Sequence, residues 1–196
     1  IVKIKAVNHM MLVVDLEATC WEDKVEGTDR RQKVDDMEVI EFGCVVCETN
    51  GTVIDSKSFF ALPKLHPVLT EFCTKLTSIK QSDVDNAPYY ADVTKSLNEW
   101  LGQYELSQWV SWGNYDKHQL LKEYERHGVC PSFLDLPHEN LKKRWSKGKK
   151  AFRNAGPKVA LEYHGLEFEG KHHRAIDDAL NIARLLPFIY NETVER

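Results

Sequence analysis

Two carboxylates, Asp15 and Glu17, follow an apolar run that begins at Met11. The run predicts a buried strand. Because side chains alternate along a strand, both carboxylates point to the same face, with their Cα atoms about 7 Å apart. Ionised carboxylates at a buried position need a cation or bound protons to offset their desolvation and mutual repulsion. A D-x-E pattern also occurs at hydrated strand ends, so its meaning depends on whether other acidic residues join it.

A third acidic residue, Asp116, lies in the first turn of a predicted helix that directly follows a short predicted strand, residues 108–112. Open α/β sheets bind their ligands at the carboxyl ends of strands. Asp116 is therefore a candidate for a site shared with Asp15 and Glu17. Alternatively, Asp116 has no role in a site and is simply an acidic residue at a helix start, where it interacts favourably with the helix dipole.

The last predicted helix, residues 175–190, carries two neighbouring aspartates that helical geometry distinguishes. Asp178 shares its face with apolar residues on the following turns, whereas Asp177 neighbours Asn181 and Arg184. A carboxylate on an apolar stripe needs a partner. We therefore assign Asp178 to the candidate site and Asp177 to the surface.

Hydrophobic patterning predicts an α/β domain with a mixed sheet. Asn50-Gly51 marks a hairpin, so the first three strands should form an antiparallel meander, and a long, polar, mobile loop, residues 20–37, should follow the first strand. The predicted strands are residues 11–17, 38–47, 53–62 and 108–112, and the predicted helices are residues 67–76, 90–101, 115–127, 156–165 and 175–190.

The composition fits one domain with a substantial core, since the chain has 196 residues of which 42% are hydrophobic. We place this domain at residues 10–191 and take residues 1–9 as an N-terminal extension or a cloning remnant. No apolar run reaches the roughly 20 residues that span a bilayer. The five cysteines, an odd number, favour reduced thiols, so we expect a soluble cytoplasmic protein. Cys44 and Cys47 should point to opposite faces of a strand, which argues against a zinc site.

A basic segment, residues 142–153, contains seven positive charges and no acidic residue. The net charge of −4 argues by itself against a nucleic-acid-binding protein, but this local concentration of charge argues for one. A solvated charged segment with no partner is the alternative interpretation.

Three motifs together carry a resemblance to a known family. They are Asp15-Leu16-Glu17, Asp116, and the spacing of His173 to Asp178. In this order, and on these elements, they resemble the DEDDh branch of the DnaQ-like 3′→5′ exonucleases. The chain is most similar to the Eri-type group, which includes the histone-mRNA exoribonuclease and KapD-like relatives. The closer similarity lies in residues 15–20, 72–73, 76–77 and 173–184.

The resemblance implies an RNase H-like fold, a mixed five-stranded sheet flanked by helices. The fifth strand of this fold has only a poor candidate in the sequence, near residues 138–141. It also implies two divalent cations, Mg²⁺ or Mn²⁺, with Asp15 bridging both, Glu17 and Asp178 completing one site, and Asp116 serving the other. His173 would be the general base, selected over the competing His172 by its spacing to Asp178. The catalytic set is then Asp15, Glu17, Asp116, His173 and Asp178.

The same resemblance implies how a terminal nucleotide is held. Phe72 and Tyr115 would contact the terminal base, and Leu76 and Thr77 the terminal sugar. Stacking of a base on an aromatic ring contributes about 1–3 kcal/mol whatever the base. Phe72 could equally belong to the hydrophobic core.

The sequence thus favours a metal-dependent 3′→5′ exonuclease that releases 5′-mononucleotides from single-stranded 3′ ends, with RNA the expected substrate. Two alternatives remain open. One is a DNA-directed 3′→5′ exonuclease, since no contact to a 2′-hydroxyl can be identified in the sequence. The other is a nucleic-acid-binding module on an inactive nuclease scaffold, against which the presence of all five catalytic residue types argues.

Overall fold

The computed structural model describes residues 10–190. The expected extension, residues 1–9, and the last residue of the expected domain, residue 191, lie outside this range. The strands are β1 (Met10–Ala18), β2 (Val39–Glu48), β3 (Val53–Phe60), β4 (Leu106–Ser111) and β5 (His138–Asn140). The helices are α1 (Glu71–Thr77), α2 (Gln81–Asp85), α3 (Tyr90–Leu101), α4 (Tyr115–His127), α5 (Leu141–Trp145), α6 (Pro157–Tyr163) and α7 (Ala175–Tyr190).

The five strands form one mixed sheet with the order β3-β2-β1-β4-β5, so β1 lies at its centre. β1 pairs antiparallel with β2, and β2 with β3, which confirms the predicted meander. β4 runs parallel to both β1 and β5. The carboxyl ends of β1 and β4 therefore meet at the same end of the sheet. The poor candidate for a fifth strand proves to be a short strand at the sheet edge.

Helices cover both faces of the sheet, and the alternation of side chains along each strand divides the core in two. Leu12 of β1 packs against α3 and α4, whereas its neighbour Met11 packs against α5, α6 and α7. Cys44 and Cys47 of β2 belong to these two opposite cores, as their spacing predicts. Asp15 lies four residues after Met11 and so faces the side of α7. Within residues 10–190, no helix is long and apolar enough to cross a membrane.

A glycine in β2 sets the position of α7 on the sheet. Gly43 pairs with Asp15 in the β1–β2 register. A Cβ atom at Gly43 would stand 2.0 Å from the carbonyl carbon of Ala175 and 2.1 Å from its oxygen. Only glycine therefore lets the helix backbone come this close to the strand. The contact brings the first turn of α7, which carries Asp178, directly above Asp15.

Helices α3, α4 and α7 have the bounds that their patterns predict, whereas α1 begins four residues later than predicted, at Glu71. The cause is an N-cap, because the Thr70 hydroxyl accepts a hydrogen bond from the backbone N–H of Cys73. Two short helices, α2 and α5, have no counterpart among the predicted elements. α5 lies inside the basic segment and buries Leu141 and Trp145.

The segment between β1 and β2 makes more contacts than its polar sequence predicts. Trp21 is only 7% exposed, and its backbone N–H donates a hydrogen bond to the side chain of Gln32 at 2.7 Å. The Arg30 guanidinium binds both carboxylate oxygens of Asp36, which holds the pKa of Asp36 down, to about 2. These contacts within the segment give it a defined conformation beside the end of β1.

Gly43→Ala should destabilise the protein, because the added methyl group can be accommodated only if α7 moves away from β2. We expect a loss of about 1–3 kcal/mol in the free energy of unfolding, measured by urea denaturation. The matched control is Gly102→Ala, where the added Cβ would lie 3.4 Å from its nearest neighbour. Equal losses in the two variants would contradict this account of the β2–α7 contact.

Candidate active site

A cleft of about 500 Å³ opens at the carboxyl end of β1. Strand β1 supplies two of its acidic side chains, the first turn of α4 supplies a third and the first turn of α7 a fourth. All five residues expected to be catalytic therefore line one cleft, although they are spread over most of the sequence. These residues are Asp15, Glu17, Asp116, His173 and Asp178.

Three of the carboxylates are close enough to share one ion. Asp15, Glu17 and Asp178 each offer an oxygen atom, and these atoms all lie within 4.8 Å of one another. Burial, followed by repulsion from neighbouring carboxylates, raises the pKa of Glu17 to about 9 and raises the pKa of Asp15 well above its ordinary value. The cluster is therefore electrostatically unfavourable when all three carboxylates are ionised and no cation is bound between them.

The Asp116 side chain is held against β1 by a hydrogen bond from the strand backbone. Its Oδ1 accepts a hydrogen bond from the N–H of Leu16 at 3.0 Å, and its side chain is almost fully buried. Burial raises the pKa of Asp116 to about 6, although hydrogen bonds from the backbone oppose the rise. Because Leu16 lies between Asp15 and Glu17, this bond fixes the start of α4 to the strand that carries the other carboxylates.

The segment before α7 fixes the fourth carboxylate. His173 has a left-handed backbone, with φ of 64°, and its N–H donates a hydrogen bond to Asp178 Oδ2 at 2.7 Å. Burial raises the pKa of Asp178 to about 6. Asp177 points away from the cleft and accepts a hydrogen bond from the N–H of Lys171 at 2.8 Å. The assignment of Asp178 to the cleft side and Asp177 to the outside therefore agrees with the structure.

Glu41 of β2 supports this arrangement, and the sequence analysis missed it. It pairs with Glu17 in the β1–β2 register and is fully buried. Its carboxylate accepts hydrogen bonds from the Arg174 side chain at 3.1 and 3.2 Å and from the Ala175 N–H at 3.1 Å. The ion pair thus ties the segment before α7 to the sheet. The only signal in the sequence is an acidic residue inside an otherwise apolar strand.

Both histidines of the His172-His173 pair line the cleft, with ring centroids 3.9 Å apart. His172 Nε2 lies 3.8 Å from Asp178 Oδ1. Burial lowers the pKa of both rings. The geometry therefore brings the competing His172 to the cleft as well, and its proximity to Asp178 could not be read from the sequence.

Three of the four expected substrate contacts line the cleft. They are Phe72, Leu76 and Tyr115. Thr77 is placed differently, because it is fully buried, donates a hydrogen bond to the Cys73 carbonyl and accepts one from the Ile79 N–H. Its hydroxyl stabilises the end of α1 and does not reach the cleft in this structure. The lining residues that the sequence analysis did not assign to the cleft include Trp112 directly after β4 and Pro157 at the start of α6.

The donor set suits a hard divalent cation. Carboxylate oxygens are the ligands that Mg²⁺ and Mn²⁺ prefer in proteins. Three of them converge within 4.8 Å in a partly enclosed cleft. A bound cation would also offset the repulsion that raises their pKa values. Both the ligand chemistry and the electrostatics therefore fit a divalent metal ion.

Comparison with known sequences and structures gives a consistent result. Residues 12–186 match the RNase_T family, described as "Exonuclease". The chain is 33% identical to human ERI1 exoribonuclease 3 and 27% identical to the 3'-5' exonuclease eri1 of Schizosaccharomyces pombe. These alignments cover 94% and 97% of this chain, and 56% and 71% of the respective relatives. The chain thus spans about half the length of the human relative.

Solved structures share the fold. The nuclease domain of 3'hExo, a DEDDh family member bound to rAMP, superposes with a TM-score of 0.82 at 24% sequence identity. The match covers 96% of this chain and 94% of that chain. The RNase H-like fold and the mixed five-stranded sheet predicted from the sequence are therefore confirmed.

Glu17→Gln should raise the melting temperature in EDTA, because the folded protein can keep the Glu17 carboxyl only by protonating it, at a pKa raised to about 9, and the amide removes this cost at nearly constant shape. Mn²⁺ at 100 times its dissociation constant should stabilise the unmodified protein by about 2.7 kcal/mol and so raise its melting temperature. It should stabilise the variant much less. Differential scanning calorimetry measures both effects.

The control for this experiment is Glu105→Gln, which changes an exposed carboxylate outside the cleft. It should leave the Mn²⁺ response intact. An unchanged Mn²⁺ response in Glu17→Gln would show that the cleft carboxylates do not bind the ion.

Proposed function

Since the chain belongs to the RNase_T exonuclease family, we propose that it is a metal-dependent 3′→5′ exonuclease that removes 5′-mononucleotides from single-stranded 3′ ends. The observation that carries this proposal is the convergence of Asp15, Glu17 and Asp178 within 4.8 Å, with Asp116 and His173 lining the same cleft. The proposed catalytic unit is a single domain, residues 10–191.

The four acidic side chains would hold two divalent cations, Mg²⁺ or Mn²⁺. Asp15, Glu17 and Asp178 would hold one cation, and Asp116, bonded to the backbone of β1, would hold the second together with Asp15. When bound, such cations neutralise charge on the attacking and leaving oxygens of a phosphodiester. The chain itself contributes the fixed placement of the carboxylates, which the hydrogen bonds to Asp116 and Asp178 maintain.

His173 is the proposed general base. Its imidazole lines the cleft and is partly exposed, so it can accept a proton at a ring nitrogen from an attacking water. Its left-handed backbone and the hydrogen bond from its backbone N–H to Asp178 hold the main chain of His173 beside this carboxylate. His172 also borders the cleft and is the competing base.

The terminal nucleotide would lie against Phe72, Leu76 and Tyr115. Leu76 is 37% exposed and Tyr115 is 38% exposed, which leaves their surfaces available to a base or sugar. Stacking on aromatic rings does not depend on base identity. The enzyme would therefore act on a free 3′ end and not on a particular sequence.

RNA is the proposed substrate because curated relatives that align over nearly the whole chain are named exoribonucleases. We also propose a cytoplasmic location. It is supported by the five unpaired cysteines, four of them buried, a pattern typical of proteins in reducing compartments.

Two adjacent aspartates allow a matched test of catalysis. Asp178→Asn should reduce hydrolysis of 5′-end-labelled RNA in Mg²⁺ by more than about 100-fold, the upper range for groups that only support a metal ligand. Asp177→Asn should retain most activity, because its contacts lie outside the cleft. EDTA should abolish activity in both proteins. Comparable losses in the two variants, or full activity in Asp178→Asn, would contradict the proposed site.

Matched RNA and DNA oligonucleotides test the preference for sugar. We expect ladders that shorten from the 3′ end, with larger kcat/KM for RNA, because a contact to the 2′-hydroxyl separates the two sugars. Chromatography should identify 5′-mononucleotides as the product. Faster degradation of DNA would assign the enzyme to the DNA-directed alternative, and tight binding without turnover would indicate an inactive scaffold.

A further inference from the structure

A second, larger cleft lies beside the candidate active site. It has a volume of about 1110 Å³, and we call it the basic groove. Its lining is formed by the end of β5, by α5 and by the turn that follows α5. The residues that define it here are Asn114, Lys142, Lys143, Lys147, Lys150 and Arg153.

The positive charge of the groove is largely uncompensated. Its four lysines and Arg153 form no salt bridge with any side chain in residues 10–190. Glu139 also lines the groove, but it pairs with Arg144 at 2.9 Å and accepts a hydrogen bond from Tyr190. Five cations without a carboxylate partner in the described structure therefore face one depression.

The backbone that carries these cations is anchored in the core. Trp145 is 2% exposed and packs against Trp112, Phe152 and Tyr163. Its indole N–H donates a hydrogen bond to His164 at 2.9 Å. The basic segment is thus not a solvated tail, since its buried side chains fix where its lysines emerge.

Two short segments separate the groove from the active-site cleft. In the turn between β4 and α4, Trp112 lines the cleft and Asn114 lines the groove. The residue between them is Gly113, where an added Cβ would lie 3.6 Å from the Lys142 amine. On the other side, Arg153 lines the groove and Pro157 lines the cleft. A hydrogen bond of 2.8 Å from the Trp112 indole to the Ala155 carbonyl joins the two segments.

We propose that the basic groove binds the phosphate backbone of the strand being degraded, on the 5′ side of the nucleotide in the active site. This inference rests on the proposed exonuclease function. A polyanion whose end lies in the carboxylate cleft must continue across the neighbouring surface, and the groove offers several cations along that path. Lysine contacts to phosphates are independent of sequence, so the groove would increase affinity for longer strands without selecting bases.

The test compares two double variants that remove equal charge. Lys143→Gln/Lys147→Gln changes the groove, and Lys57→Gln/Lys95→Gln changes exposed lysines on β3, at the far edge of the sheet, and on α3. The substrates are a single-stranded RNA of about 15 nucleotides, near the upper limit of single-strand site sizes, and a trinucleotide that is too short to cross the groove.

For the longer RNA we expect the groove variant to raise KM about tenfold. The slope of log(kcat/KM) against log salt should become shallower by about 1.4, because each of the two lost phosphate contacts contributes about 0.7 on a single strand. Turnover of the trinucleotide should change less than about twofold, since it lacks the distal phosphates. The control variant should resemble the unmodified protein on both substrates.

Equal behaviour of the two double variants on the longer RNA would overturn the proposal. So would a defect seen only with a duplex bearing a 3′ overhang, because the groove would then hold the complementary strand. Binding of the longer RNA to Asp15→Asn protein, with and without the groove substitutions, separates this inference from the proposed function. Fluorescence anisotropy measures this binding. Failure of the unmodified protein to hydrolyse RNA would refute the proposed activity on RNA, whereas weaker RNA binding without the groove lysines would still support the groove.

Discussion

The structure depends on a repulsion that the fold has to withstand. Asp15, Glu17 and Asp178 converge within 4.8 Å. Burial raises the pKa of all three, and repulsion within the cluster adds to the rise for Asp15 and Glu17. Each carboxylate would be better solvated in water, so the cluster persists only because the backbone that carries it is fixed by packing elsewhere. The site therefore costs stability in the absence of an ion, and this cost is what gives it affinity for a divalent cation.

Contacts around Glu41 and Gly43 hold the cluster together. Gly43 allows α7 to lie directly on β2, and Glu41 accepts hydrogen bonds from Arg174 and from the Ala175 N–H at the start of the same helix. Both β2 residues pair with carboxylate-bearing positions of β1. The strand register thus determines where Asp178 arrives. A buried ion pair is weak evidence for stability. The consequence of the Glu41–Arg174 pair is instead that it places the segment before α7 against the sheet.

Much of this could be predicted, because the signals are local. The 3.6-residue period of α7 separates Asp178 from Asp177, and the same reasoning gives the bounds of α3 and α4. Glu41 could not be predicted, because its partner Arg174 is 133 residues away and a strand buried on both faces has no alternation to reveal an inward acid. The prediction that Thr77 contacts the terminal sugar disagrees with the structure for a related reason. Its burial depends on contacts of the α1 terminus that only the assembled fold provides.

The turn between β4 and α4 links the acidic and basic surfaces of the protein. Gly113 has a φ of 122°, a conformation that side-chain-bearing residues rarely adopt. Trp112 before this glycine and Asp116 after it line the carboxylate cleft, whereas Asn114, directly after the glycine, lines the basic groove. The net charge of −4 does not describe either surface, because screening limits each to its own neighbourhood of about 8–10 Å. In the proposed function, a polyanion would therefore be attracted at the groove while its scissile phosphate would depend on cations held at the cleft. The glycine turn between β4 and α4 determines how close these two environments lie.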